Sequence, residues 1–141
     1  PPIHLPRFTC GCGQKGCIDA TCSARGLEKL HSHIHGATLT SEEIIEAWSR
    51  GDAAAARTID VYVDVIASPL ALVVNVTGAT ILPVGGGLSN ARGLLSAIDE
   101  AVRGRTLRRF PRPIVVPAQC RMEPGLIGAA LLGLNAATAA G

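Results

Sequence analysis

Three cysteines, Cys10, Cys12 and Cys17, fall within eight residues in the run Cys-Gly-Cys-Gly-Gln-Lys-Gly-Cys-Ile-Asp at positions 10–19. Thiolates this close together suit Zn²⁺, which takes four ligands in structural sites, so three cysteines require a fourth group from elsewhere. Glycines between them let the backbone fold tightly around one point. His4 is the nearest candidate in the chain for the fourth ligand. Closed, sulfur-rich sites stabilise folds, whereas catalytic zinc keeps an open position, so the expected role is structural. The alternative, thiols that sit near a turn and are simply buried, does not account for a C-x-C-x4-C spacing with three interspersed glycines.

A second stretch with chemical potential is Gly85-Gly86-Gly87, which follows the apolar run Thr80-Ile81-Leu82-Pro83-Val84 and precedes helical spacing from Asn90 to about Val102. Glycines there allow close approach of a nucleotide, and the following helix start offers free N–H groups. Alone, the motif is a weak signal, because a glycine-rich strand-to-helix turn also serves purely structural ends. His31, His33 and His35 alternate, but on a helix residues two apart diverge, so they are expected to form a solvated helix end, not a second metal site. Cys22 and Cys120 lie outside the cluster and read as small core residues.

The elements that must position these groups follow from periodicity. Residues 1–18 hold three prolines and three glycines with no apolar period, and read as a loop pinned by metal. From Asp19 the spacing of Ala20, Ala24, Leu27, Leu30 and Ile34 predicts one helix, ended by Gly36. Thr40 with Glu43 three residues on is a capping-box pattern before a helix through Trp48. Residues 52–76 carry two apolar stripes, one of Ala56, Ile59, Val63, Ile66, Leu70 and Val73 and one of Val61, Val65, Leu72 and Val76, which predicts a long helix buried on two sides and kinked at Pro69. Thr80–Val84 and Pro113–Pro117 read as strands, although Pro83 weakens the first. With a final helix over Gly125–Leu134 the order is strand, helix, strand, helix, implying a parallel pair in an α/β architecture.

Composition narrows the classes further. A chain of 141 residues with 48% hydrophobic, 17% charged and 3% aromatic residues describes one folded domain with an aliphatic core. A formal charge of +2 gives no drive toward nucleic acid or membrane, and the basic cluster Arg103, Arg105, Arg108, Arg109 and Arg112 reads as a solvated helix end. Five cysteines, three of them crowded, argue for a reducing compartment, hence the cytoplasm. The apolar run near Ile66–Val76 is too short to span a bilayer, and Gly125–Gly141 is rich in glycine and alanine. The start, Pro1-Pro2-Ile3-His4-Leu5-Pro6, has no signal-peptide pattern and reads like the middle of a loop, so the chain is expected to begin inside a parent protein.

Together these residues resemble the ROK family, the repressor, open-reading-frame and kinase group of bacterial sugar kinases and related repressors. Cys10 to Asp19 is similar to the family's C-x-C-G-x-x-G-C-x-E zinc signature, Val84-Gly-Gly-Gly-Leu-Ser-Asn90 to its adenosine-side turn, and Gly125-Leu-Ile-Gly-Ala-Ala-Leu to its last helix. With Ser23-Ala-Arg-Gly-Leu following the cysteines, the pattern is most similar to that of the N-acetylglucosamine kinases. The resemblance covers nearly the whole chain, in order.

It implies an α/β fold, the C-terminal lobe of an actin-like, ribonuclease-H-like sugar kinase, with a zinc-binding loop over 1–18, a helical insertion over 19–78 and a strand-helix-strand-helix unit over 79–141, the N-terminal lobe being absent. Implied cofactors are structural Zn²⁺ and ATP with Mg²⁺; implied partners are a sugar, the missing lobe and a second copy in a homodimer. By the same resemblance Cys10, Cys12 and Cys17 hold metal, Gly85, Gly86 and Gly87 admit adenosine, and Asp19 contacts sugar. Asp19 stands where the family has glutamate, one methylene longer, and reads equally as a helix cap. None of Asp19, Asp52, Asp60, Asp64 and Asp99 begins a D-x-G-x-[ST] phosphate motif, and the family's Asn-Asp pair and E-x-G-H segment have no counterpart. No catalytic residue is therefore expected in this chain, which alone should not turn over. The implied activity of the full-length protein is ATP-dependent phosphorylation of the 6-hydroxyl of N-acetylglucosamine or a related hexose. A sugar-responsive transcriptional repressor of the same family and a stand-alone zinc-stabilised binding module are the alternatives.

Overall fold

Three of the helices begin where a side-chain oxygen takes up a free backbone N–H. In the computed structural model, which describes residues 6–119 and 124–139, the Ser23 hydroxyl accepts from Gly26 N at 3.1 Å and starts α2 (Ala24–His35). Thr40 and Glu43 form the reciprocal capping box of α3 (Ser41–Ser49). The Asp52 carboxylate accepts from Ala55 N at 2.7 Å and starts α4 (Ala53–Thr77). Caps of this kind stabilise a helix start by about 1 kcal/mol.

The single helix expected from Asp19 is two. A five-residue α1 (Ile18–Cys22) ends before Ser23, whose extended backbone (ψ 173°) and capping hydroxyl start a new helix. The hydroxyl offers the backbone an alternative to continuing the first helix, which spacing alone does not reveal. Gly26 makes the junction possible: a Cβ there would lie 2.2 Å from the Thr21 carbonyl oxygen. Gly36, in the left-handed region at φ 69°, closes α2 as expected.

Helix α4 is the 25-residue centrepiece, with Pro69 inside it. Its buried stripe, Ala55, Thr58, Ile59, Tyr62, Ala67, Ala71 and Val74, packs against α2, α3 and α5 (Arg92–Arg103). Burial on two sides holds only for the first part. Leu72, Val73 and Val76 are exposed. α4 is long and apolar enough to cross a membrane, in contrast to the short run expected, yet its buried face belongs to the core shared with Leu27, Leu30, Ile44, Leu94 and Ile98.

The strands are shorter than expected: β1 is Leu82–Val84 and β2 is Val115–Pro117, paired in parallel with Leu82 opposite Val115. Leu82 N donates to Ile114 O and Ala118 N donates to Val84 O. Residues 82 and 84 therefore point their backbone groups at β2, and the nitrogen of Pro83 faces the opposite edge, where its missing N–H costs this ladder nothing. The buried Asp99 of α5 fixes the start of β2. Its Oδ1 accepts from Ile114 N at 2.7 Å and Val115 N at 2.9 Å, and its Oδ2 accepts from Arg103 Nε at 2.8 Å. Helix α6 (Pro124–Ala139) keeps Leu126, Leu131, Leu132 and Leu134 exposed.

Candidate functional site

The thiol loop is a tight knuckle held by its own backbone. Cys10 N donates to Gln14 O at 2.8 Å, Gly13 N to Cys10 O at 3.0 Å, and Gly16 N to Phe8 O at 2.9 Å. Gly13 (φ 85°) and Gly16 (φ 81°) occupy the left-handed region that the two reversals need. The three Sγ atoms converge to within 4.8 Å of one another, with Cys12 and Cys17 at 3.6 Å. Backbone hydrogen bonding at Gln14, then the neighbouring thiols, hold Cys12 below the ordinary thiol range. Cys17 is pushed up to about 11, first by its hydrogen bond with Cys12. Tetrahedral Zn–S bonds of ~2.3 Å place sulfurs about 3.8 Å apart, so the spacing fits one ion with a place open for a fourth donor.

Asp19 is exposed in the first turn of α1, two residues beyond Cys17. It does not cap that helix, since Cys17 occupies the N-cap position.

The glycine turn lies on a cleft of about 260 Å³. Gly87, Leu88 and Ala91 form one wall, and Glu42, Ile45 and Glu46 of α3 form the other. Gly86 has φ 86° and ψ −176°, a conformation reserved for glycine. Gly87 leads a 3₁₀ turn, Gly87–Asn90, instead of the α-helix expected from Asn90. Trp48 of α3 packs beside Gly93 of α5, where a Cβ would stand 3.4 Å from the indole, and this approach sets how near the two walls come. Glu28 of α2 accepts from Ser41 N at 3.0 Å and ties the start of α3 to the element that follows the thiol loop.

A family model described as the ROK family matches residues 3–136. This chain belongs to the ROK family. It is 32% identical over 132 residues to the N-acetyl-D-glucosamine kinase of Pasteurella multocida, covering 94% of this chain and 43% of that protein. It is 35% identical over 130 residues to the N-acetyl-D-glucosamine kinase of Photobacterium profundum, covering 92% of this chain and 43% of that protein. Among solved structures, a ROK hexokinase from Thermus thermophilus superposes with a TM-score of 0.70 at 27% identity, over 91% of this chain and 45% of that one. The chain thus spans less than half the length of these ROK proteins. The likeness to the hexokinase also supports the actin-like ATPase fold expected from the sequence.

Within this ROK fold the three cysteines come together, and of the three glycines Gly87 lines the cleft while Gly85 and Gly86 do not. His4 and Cys120 lie outside the described residues. The histidines depart from expectation. His31 is buried, with Nδ1 2.9 Å from the Thr58 hydroxyl, and its ring centroid lies 4.8 Å from that of His35, while His33 is exposed. Burial, then His35, lowers the His31 pKa, and Asp52 opposes the shift. Cys22 is half-buried and pushed up to about 11 by burial. What the sequence did not point to is the α3 wall of the cleft: Glu42 and Glu46 are spaced like any solvated helix face, and only the tertiary approach of α3 to the glycine turn sets them on a cavity.

Proposed function

We propose that the full-length protein to which this chain belongs transfers the γ-phosphoryl group of Mg-ATP to the 6-hydroxyl of N-acetylglucosamine. The observation that carries this reading is the cleft walled in part by Gly87, beside whose Cα the space is open, in a chain whose ROK relatives bear the name N-acetyl-D-glucosamine kinase. Gly85, Gly86 and Gly87 admit the nucleotide. Asp19, presented on α1 directly after the thiol loop, offers a carboxylate to sugar hydroxyls. The transfer forms a bond between the sugar oxygen and phosphorus as the bond to ADP breaks, and the hydroxyl proton goes to a carboxylate outside this chain. Mg²⁺ supplies neutralisation of phosphate charge.

Cys10, Cys12 and Cys17 hold a structural Zn²⁺ in this reading. The sulfur spacing supports it, and the ion's role is to fix the loop that leads into α1. The chain then divides into a zinc loop over 1–18, a helical segment over 19–78 and an ATPase-lobe unit over 79–141, working with an N-terminal lobe in a cytoplasmic homodimer. The exposed Leu72, Val73, Val76 and Ile81 support packing against further protein. A coupled assay of ADP release by the zinc-replete full-length protein tests the function. Turnover with N-acetylglucosamine is expected, and absence of any sugar-dependent ADP release overturns the reading.

A further inference from the structure

The wall of the cleft opposite the glycine turn carries two carboxylates one helical turn apart, Glu42 and Glu46, on the same face of α3. Glu46 is engaged, with Oε1 2.6 Å from Arg50 Nη1. Glu42 has no cation partner among the described residues. Its Oε2 accepts the Ser41 hydroxyl at 3.1 Å.

Across the cleft, Gly87 is a glycine that neither backbone nor packing demands. Its φ lies outside the left-handed region, and nothing stands within 4 Å of where its Cβ would be. The missing side chain keeps volume clear on the cavity side. Ile45, Leu88 and Ala91 give that volume apolar walls.

Charge decides how a nucleotide lies there. Two carboxylates repel a triphosphate, so the phosphates belong at Gly85 and Gly86 and the uncharged nucleoside end belongs toward α3. A free carboxylate accepts from donors at both oxygens, and a vicinal diol supplies two hydroxyls on adjacent carbons. We propose that Glu42 binds the 2′- and 3′-hydroxyls of the nucleotide ribose, with the base between Ile45 and Leu88. This rests on the reading of the cleft as the nucleotide site. Glu42 is thus a residue that positions the nucleotide and selects ribose over deoxyribose forms.

The test uses the full-length protein and calorimetry with ATP and with 2′,3′-dideoxy-ATP. Wild type should bind ATP roughly tenfold or more tighter than the dideoxy form, the loss of hydrogen bonds to a charged group. Glu42→Gln and Glu42→Ala should both narrow that ratio toward one, while the affinity for dideoxy-ATP stays within about twofold of wild type. A role confined to the first turn of α3 would lower the melting temperature of Glu42→Ala and leave the ratio intact, which overturns the proposal. Equal wild-type affinity for the two nucleotides also overturns it, while the cleft remains a nucleotide site. Binding of neither nucleotide removes the cleft reading itself, and the Glu42 assignment with it.

Discussion

The Tyr62 hydroxyl donates a 2.6 Å hydrogen bond to the carbonyl oxygen of Cys22, joining the buried face of α4 to the last residue of α1. Burial, then the neighbouring Cys22, raises the tyrosine pKa, so the phenol stays protonated and remains a donor. This bond anchors the short helix that carries Asp19 and is led by Cys17. Tyr62→Phe leaves the Cys22 carbonyl without that donor and should cost about 1–3 kcal/mol. Denaturant titration measures the loss. An unchanged midpoint would mean that α1 is held by its hydrophobic contacts alone.

Cys12→Ser removes the most exposed member of the thiol triad. Zinc content by mass spectrometry under native conditions should be one per chain for wild type and near zero for the variant, because the loop around it has no core of its own. Stoichiometric zinc retained in Cys12→Ser refutes the ligand set.

Gly86 and Gly87 separate conformation from access. Gly86→Val is strained by its φ of 86° whatever binds nearby. Gly87→Val meets open space and an ordinary φ, so the folded protein should keep its melting temperature while ATP affinity falls by roughly tenfold or more. If Gly87→Val binds ATP like wild type, the nucleotide does not approach this wall.

His31 makes stability depend on pH with a definite sign. Its folded pKa lies below the unfolded value of ~6.5, so on acidification the unfolded chain takes up the proton first. Stability is full above about pH 6.5 and declines as pH falls toward the lowered folded value. Unfolding midpoints between pH 5 and 7.5 should drop with acid, and His31→Gln should flatten that dependence. A His31→Gln profile parallel to wild type would assign the dependence to other groups.

Gly26→Ala should destabilise by about 3 kcal/mol, because the added methyl meets backbone, not a movable side chain. Circular dichroism melts check it, and a shift of only a degree or two would show that the α1–α2 junction relaxes.

Much of this was legible in the chain because local chemistry dictated it. The capping box at Thr40 and Glu43, the stop at Gly36, the convergence of three thiols around positive-φ glycines and the parallel strands about α5 all follow from short-range patterns. What was hidden depends on partners distant in sequence. His31 sits where a polar helix end was expected, because Thr58 of α4 satisfies its ring from 27 residues away. Asp99, ordinary in sequence, becomes the buried acceptor that starts β2. Leu72, Val73 and Val76 follow the apolar period of α4 yet stand in solvent, since no described element covers them. Periodicity reports which face could be buried, and burial itself needs something to pack against.

Pro83 has a consequence for how the chain behaves in company. Among the described residues the sheet has two strands, and the edge of β1 away from β2 lacks a donor at its central residue. A strand that pairs there forfeits one ladder hydrogen bond. Any strand that extends this sheet past β1 is therefore held less by its backbone at Pro83 and more by the side chains it buries.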